Sequence, residues 1–306
     1  MEINNTLVLG NGFSRALFKD MPSWKSLFGK VESDINNYTM LYEVNLLNGE
    51  NKTDNEVKQE LMRIIQNAHF VENIKENVTL ELNKFGEYLS RNGVQNIITT
   101  NYDEGIEFIL CNKCGYINIE TEGMIAEKIY SIRTYKMFNN KENGHCVKLW
   151  KIHGDINRIE TVTLGFDQYC GSLSKLSEYI KGKYASDKGP KCSVSMIDKC
   201  KTQEFDNLSW AELFFNTNVY IVGLGMDFSE IDIWWLLNKH IRIQNEISNV
   251  QNKIFYLYNN KYDNKEKKKD IFEALEAFQV ECHGIDSDKN YIKSIFDIMK
   301  DTKFQA

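Results

Sequence analysis

Short apolar runs along the chain alternate with amphipathic stretches. Thr6-Leu7-Val8-Leu9 is the first run; it stops at Gly10 and reads as a buried strand. Gly10-Asn11-Gly12 supplies a turn, and Phe13-Ser14-Arg15-Ala16-Leu17-Phe18 opens a helix. The pattern then changes. Thr53-Asp54-Asn55-Glu56 fits a capping box, and Val57, Leu61, Ile64 and Ile65 follow on one helical face. Leu82, Phe85 and Leu89 mark another helix, closed by Arg91-Asn92-Gly93. Residues 20–92 are therefore expected to form a helical insertion.

Strand-like patterning returns at 94–100, followed by a helix expected over 102–111. Residues 147–152 form the next strand, ending in His153-Gly154-Asp155, and 161–164 suggest a short one. Residues 166–215 read as a second insertion of helix and loop. Val219-Tyr220-Ile221-Val222 is a buried strand that ends in Gly223-Leu224-Gly225. A helix follows over 229–240, with Ser229 as its expected N-cap. Further segments are a strand over 253–258, a helix over 269–278, a strand over 278–283 and a helix over 290–299. Strands alternating with helices predict an α/β, Rossmann-like parallel sheet with helices on both faces. In such sheets ligands bind beyond the carboxyl ends of the strands. Four strands end in small or polar clusters (GNG, TTNYD, HGD and GLG), so one shared pocket is expected at that edge.

The 306 residues suit a single α/β domain with inserted helices, and only two prolines and no linker-like stretch interrupt them. A formal net charge of −6 disfavours nucleic acid as a direct partner, because phosphate binding needs clustered positive charge. Lys265-Glu266-Lys267-Lys268-Lys269 is short, carries a glutamate and reads as a solvated stretch. The N-terminus lacks the basic and apolar regions of a signal peptide, and no apolar run reaches membrane-spanning length, so a cytoplasmic protein is expected. Seven cysteines in such a chain suggest reduced thiols. Cys111 and Cys114 form a CxxC, but its partners would have to be Cys192 and Cys200, with seven residues between them, which is poor zinc spacing. No metal is expected.

Each strand end has a plain reading beside a functional one. The Gly10–Ser14 turn resembles the start of a dinucleotide fingerprint, yet Arg15 stands where a third glycine would be, and a tight strand–helix turn also needs glycine. Asn101 and Asp103 suit an Asx turn that caps a helix, or an amide that orients a ribose or a water. His153 is one of five histidines, placed at a strand end beside a glycine, where an imidazole can exchange a proton with water. Trp234 and Trp235 read as core residues first and as interface anchors second.

Taken in order, GNG-x-S, TTNYD, IHGD and GLG-x-x-x-SE-x-D resemble the sirtuin superfamily. They are most similar to its bacterial sirtuin-like branch of NAD-hydrolysing effectors in anti-phage defence. The resemblance covers residues 1–18, 94–165 and 217–285 and leaves out the helical insertions. It implies that Gly10, Asn11, Gly12, Phe13 and Ser14 hold the NAD phosphates and ribose, with Thr100 and Asp103 bordering the site. Asn101 would lie at the nicotinamide ribose and His153 would be the catalytic base. Gly223, Leu224 and Gly225 would border the adenosine side, and Asp232 would have a structural role. It further implies regulation by self-assembly or by a partner defence protein: an ATPase, a sensor or an Argonaute-like protein. The alternatives are an NAD-dependent protein deacylase or ADP-ribosyltransferase, and a non-catalytic nucleotide-binding module. The four-cysteine zinc module of sirtuin deacylases has no counterpart after His153, which favours water as the nucleophile.

Overall fold

The computed structural model describes residues 3–23, 38–48, 53–67, 73–119, 127–186, 189–263, 265–266, 268–286 and 290–303. Their strands are β1 (Asn5–Leu9), β2 (Val94–Thr99), β3 (Tyr116–Ile119), β4 (Lys136–Asn140), β5 (Cys146–Lys151), β6 (Asn218–Val222), β7 (Ile254–Asn259) and β8 (Glu281–Ile285). They make one sheet in the order β3-β4-β5-β2-β1-β6-β7-β8. The six strands from β5 to β8 are parallel, as the alternation with helices predicts. The chain moves outward from β1 to one side through β2 and β5, then returns to β6 and continues to the other side. The strand order therefore reverses at β1, the switch point at which sheets of this kind place a ligand crevice beyond the carboxyl ends of their strands.

β1 is buried along its whole length because both faces of the sheet are covered. Leu7 and Leu9 join a core with Leu17, Phe85, Ile97, Tyr220 and Val222. Val8 points the other way, into a second core with Ile98, Trp150, Ile221 and Ile233. Period-two alternation thus divides the apolar residues of each central strand between two layers.

Several expectations change. β3 and β4, which no expected strand covers, form an antiparallel extension at the β5 edge. Residues 161–164 make no strand; a 3-10 turn over Ile159–Thr161 is followed by a segment whose Thr163 amide donates to the His153 carbonyl. The helix after β2 starts at Gly105 rather than residue 102, because the Asp103 carboxylate first accepts the Gly105 amide in an Asx turn. The helix after β6 is Ile231–Glu246 and its N-cap is Glu230; Ser229 instead donates its amide to Asp227. The 20–92 segment contains helices at Tyr38–Asn48, Asp54–Asn67, Thr79–Leu82 and Phe85–Arg91, with residues 24–37, 49–52 and 68–72 outside the described residues. The capping box forms, since the Thr53 amide donates to Glu56 Oε2 at 2.7 Å. Val57 and Ile65 are buried in that helix as expected, whereas Ile64 is exposed and Met62 fills the core.

Candidate functional site

The turns after β1 and β6 are packed backbone to backbone. Gly10 N–H donates to the Val222 carbonyl at 3.0 Å, and Gly12 N–H to the Gly223 carbonyl at 2.7 Å. Gly223 adopts φ +64°, and a Cβ there would sit 2.1 Å from the Phe13 nitrogen. A Cβ on Gly10 would fall 2.6 Å from the Gly223 oxygen. Glycine is thus demanded by the approach of the two turns to each other, and the Gly12 amide is engaged within the protein. Asn11 reaches the Pro22 carbonyl at 3.4 Å. The Phe13 ring packs with Phe85 and Tyr291 in the core, so its side chain does not line the crevice. Leu224 is likewise a core residue, its carbonyl accepting from Tyr256. The Gly225 carbonyl accepts from Lys268.

Ser14 and Asn101 meet at the switch point. The helix Asn11–Leu17 carries Ser14 inward, and β2 ends just before Asn101. The Thr99 hydroxyl donates to the Leu9 carbonyl and accepts the Asn101 amide at 3.1 Å, which locks the β2 end against β1. Asn101 Nδ2 then donates to Ser14 Oγ at 3.0 Å. Asn101 is only 2% exposed, yet its Oδ1 has no hydrogen-bond partner among the described residues. A buried acceptor without a partner costs roughly 1–3 kcal/mol, so a donor that reached this oxygen would be favoured. Thr100, beside it, is also buried.

His153 lies at the end of β5, and its Nε2 is 2.9 Å from Asp232 Oδ2. Asp232 belongs to the helix that follows β6, and β2 and β1 lie between β5 and β6. The contact therefore spans the crevice that Asn101 and Ser14 occupy. Glu230 Oε2 lies 3.8 Å from His153 Nδ1 and has no hydrogen-bond partner among the described residues. The Tyr169 ring and the imidazole pack at a steep angle to each other, with centroids 5.3 Å apart. Burial alone would push the His153 pKa down; the Asp232 charge and hydrogen bond, then the Glu230 charge, outweigh it and raise the pKa to about 9. Burial raises the Glu230 pKa to about 7, with His153 opposing and Asp232 and Asp227 adding to the rise. At neutral pH His153 is accordingly an imidazolium between two carboxyl groups. His153, Glu230 and Asp232 could also hold a metal ion, since one ligand atom from each lies within 4.8 Å of the others.

Gly154 fixes the turn beneath His153. It adopts φ +107°, and a Cβ there would lie 2.4 Å from the Thr161 carbonyl oxygen. Two residues on, Asp155 joins a cluster that the sequence did not reveal. Lys151 Nζ sits 3.1 Å from Glu107 and 3.4 Å from Asp155, and it donates to the Asp103 carbonyl at 2.7 Å. Lys136 pairs with the same two carboxylates. Burial raises the Asp103 carboxyl to about 6 against the opposing charge of Lys151. Asp103, flagged at the site border, thus also anchors the loop between β2 and its helix.

Glu230 and Tyr169 carry no motif that marks them in the sequence, and the resemblance implies only a structural role for Asp232. The one signal was an acidic pair two residues apart at a helix start, which carries no meaning until the fold sets it opposite a histidine. Trp234 is a core residue, packed with Phe228 and Phe278. Trp235 is partly buried, with Lys239 over its ring. Cys114 lies in one core layer and Cys192 and Cys200 in the other, so the sheet separates Cys114 from the pair that would complete a zinc site with it. Among the described residues no helix is long and apolar enough to cross a membrane. Compared with models of known protein families and with curated proteins, the chain matches none.

Proposed function

We propose that the chain hydrolyses the N-glycosidic bond of NAD+, releasing nicotinamide and ADP-ribose, and that it acts by NAD depletion in anti-phage defence. The resemblance of its strand-end motifs to sirtuin-like effectors supplies the substrate. The observation that carries the reading is Asn101, whose amide nitrogen is pinned to Ser14 and whose buried oxygen is left without a donor at the switch point. A ribose hydroxyl is a donor of that kind.

The chemistry asks little of an acid catalyst. Nicotinamide leaves as a neutral ring, and positive charge develops on the ribose in an oxocarbenium-like transition state. A site for this reaction must hold the ribose, stabilise the cation and deliver one water. Asn101 would accept from the ribose. The Glu230 and Asp232 carboxyls outnumber the single positive charge of His153, so the buried cluster favours a developing cation nearby. The resemblance assigns proton removal from the water to His153. No step calls for a metal.

Ser14, Asn101 and His153 are all buried, which supports a restrained resting form. A free NAD hydrolase would deplete its own host. Activation by self-assembly or by an ATPase, sensor or Argonaute-like partner is part of the proposal. The separation of the cysteines onto two layers favours hydrolysis over deacylation, which in sirtuins relies on a zinc module. Incubation with NAD+ and chromatography of the products separates the readings. Nicotinamide with ADP-ribose supports hydrolysis. Label transferred to a peptide supports the deacylase or ADP-ribosyltransferase, and bound but unchanged NAD+ supports a nucleotide-binding module.

A further inference from the structure

We propose that Tyr102 is a positioning residue, whose phenol hydroxyl sets where the His153 imidazole stands relative to Asn101. The inference rests on the hydrolytic reading above and gives a role to the one residue of the TTNYD cluster that the reading leaves idle. Thr99 of β2 and Lys151 of β5 are register partners, and Asn101 and His153 each follow two residues on. The Ile152 amide donates to the Thr99 carbonyl at 3.0 Å, and both strands end there. Beyond that rung the two strand ends are tied through Tyr102. Its carbonyl accepts the Ile156 amide at 3.0 Å, three residues after His153. Its hydroxyl donates to the Thr163 carbonyl at 2.6 Å, and the Thr163 amide donates to the His153 carbonyl at 2.8 Å. Tyr102, Thr163 and His153 are all buried, so this strut lies away from solvent.

The loop that carries His153 is closed on itself. The Asp155 amide donates to the Thr161 hydroxyl at 3.0 Å, the Arg158 amide to the Asp155 carbonyl at 2.8 Å, and the Thr161 amide to the Arg158 carbonyl at 2.8 Å. Gly154 lets the Thr161 backbone lie against the turn. A loop closed in this way shifts as a unit, so a displacement at its Tyr102 end reaches the imidazole. The Tyr102 ring also packs in the core, and phenylalanine would fill the same space. The hydroxyl alone therefore carries the proposal. Where reacting groups must align, a misplacement of about 1 Å costs roughly 10²-fold in rate.

The test compares Tyr102→Phe with Tyr220→Phe in the full chain. Each removes one buried hydroxyl, and that of Tyr220 meets Thr302 Oγ1 in the last helix at 2.8 Å. In nicotinamide release from NAD+, Tyr102→Phe is expected to lower kcat by roughly 10–10²-fold and to leave KM within a few-fold, because Asn101 keeps its bond to Ser14. Tyr220→Phe should lose a similar amount of Tm and keep the kcat of the wild type. The imidazole proton and nitrogen-15 resonances of His153, assigned by their absence in His153→Gln, give a readout independent of turnover. They should move in Tyr102→Phe and hold their place in Tyr220→Phe. The proposal is overturned if the two variants have equal kcat, or if the His153 resonances of Tyr102→Phe coincide with those of the wild type. Amide hydrogen exchange in the wild type decides the matter even if Tyr102→Phe does not fold: the Thr163 amide should be protected like the central strands, and exchange as fast as an exposed loop overturns the strut. A wild type that releases no nicotinamide under any condition defeats the hydrolytic reading itself, and the resonances still decide the placement of His153.

Discussion

Replacing His153 by Gln should flatten the alkaline side of the protein's stability curve. The imidazole has an ordinary pKa of 6.5 and is raised to about 9 in the fold. A group whose folded pKa is raised stabilises the native state fully below its unfolded value and loses that contribution as pH climbs through the folded value. The window here is therefore pH 6.5 to 9. At about 1.36 kcal/mol per pH unit, the difference of about 2.5 corresponds to about 3 kcal/mol of stability lost across it. With an unfolding entropy of about 2.1 cal/mol/K per residue over a chain this long, that loss lowers Tm by about 5 °C. Glu230, raised to about 7, adds a decline of the same sign between pH 4.5 and 7, below most of this window. Thermal unfolding followed by circular dichroism at pH 6 and 9 checks the point. The wild type should lose about 5 °C more than His153→Gln over that interval, even though the variant starts lower. Parallel curves would show that His153 does not carry the buried charge argued for it.

Other outcomes follow from separate parts of the site. Gly154→Ala places a Cβ 2.4 Å from the Thr161 oxygen at φ +107°, so it should cost at least about 2 kcal/mol in urea unfolding; a neutral result would mean the turn is not held as described. Lys151→Met leaves Glu107 and Asp155 with Lys136 alone and should cost about 3–5 kcal/mol by the same measurement, whereas a change under about 1 kcal/mol would place the cluster in solvent. Chelator treatment should leave nicotinamide release unchanged, because carboxylates already face both His153 nitrogens; loss of activity restored by a divalent cation would point to the His153, Glu230 and Asp232 donors as ligands.

Much of the sheet was legible because its central strands are buried on both faces. Residues 219–222 are apolar at every position, the pattern of a covered strand, and residues 7–9 of β1 and 254–258 of β7 read the same way. β3 and β4 were not legible. Tyr116–Ile119 places Asn118 and a half-exposed Ile117 on an edge strand, and partial burial blurs alternation. The helix starts after β2 and β6 were misplaced because side chains intervene: Asp103 and Asp227 each take a backbone amide two residues on and delay the helix. At the site, the strand-end residues could be named in advance, since sheet topology dictates where strands end. The partners of those residues could not. Asp232 follows His153 by 79 residues, and only the reversal of strand order at β1 brings the two together across the crevice.

Nicotinamide release from NAD+, measured side by side for the wild type and Asn101→Ala, bears most directly on the proposal. Asn101 contributes its buried, unpartnered oxygen and a single hydrogen bond to Ser14, so its loss should remove ribose positioning while the fold survives. The account predicts steady release by the wild type and a rate lower by roughly 10²-fold or more in the variant, with Tm changed by only a few degrees. Equal rates from the two proteins would contradict it.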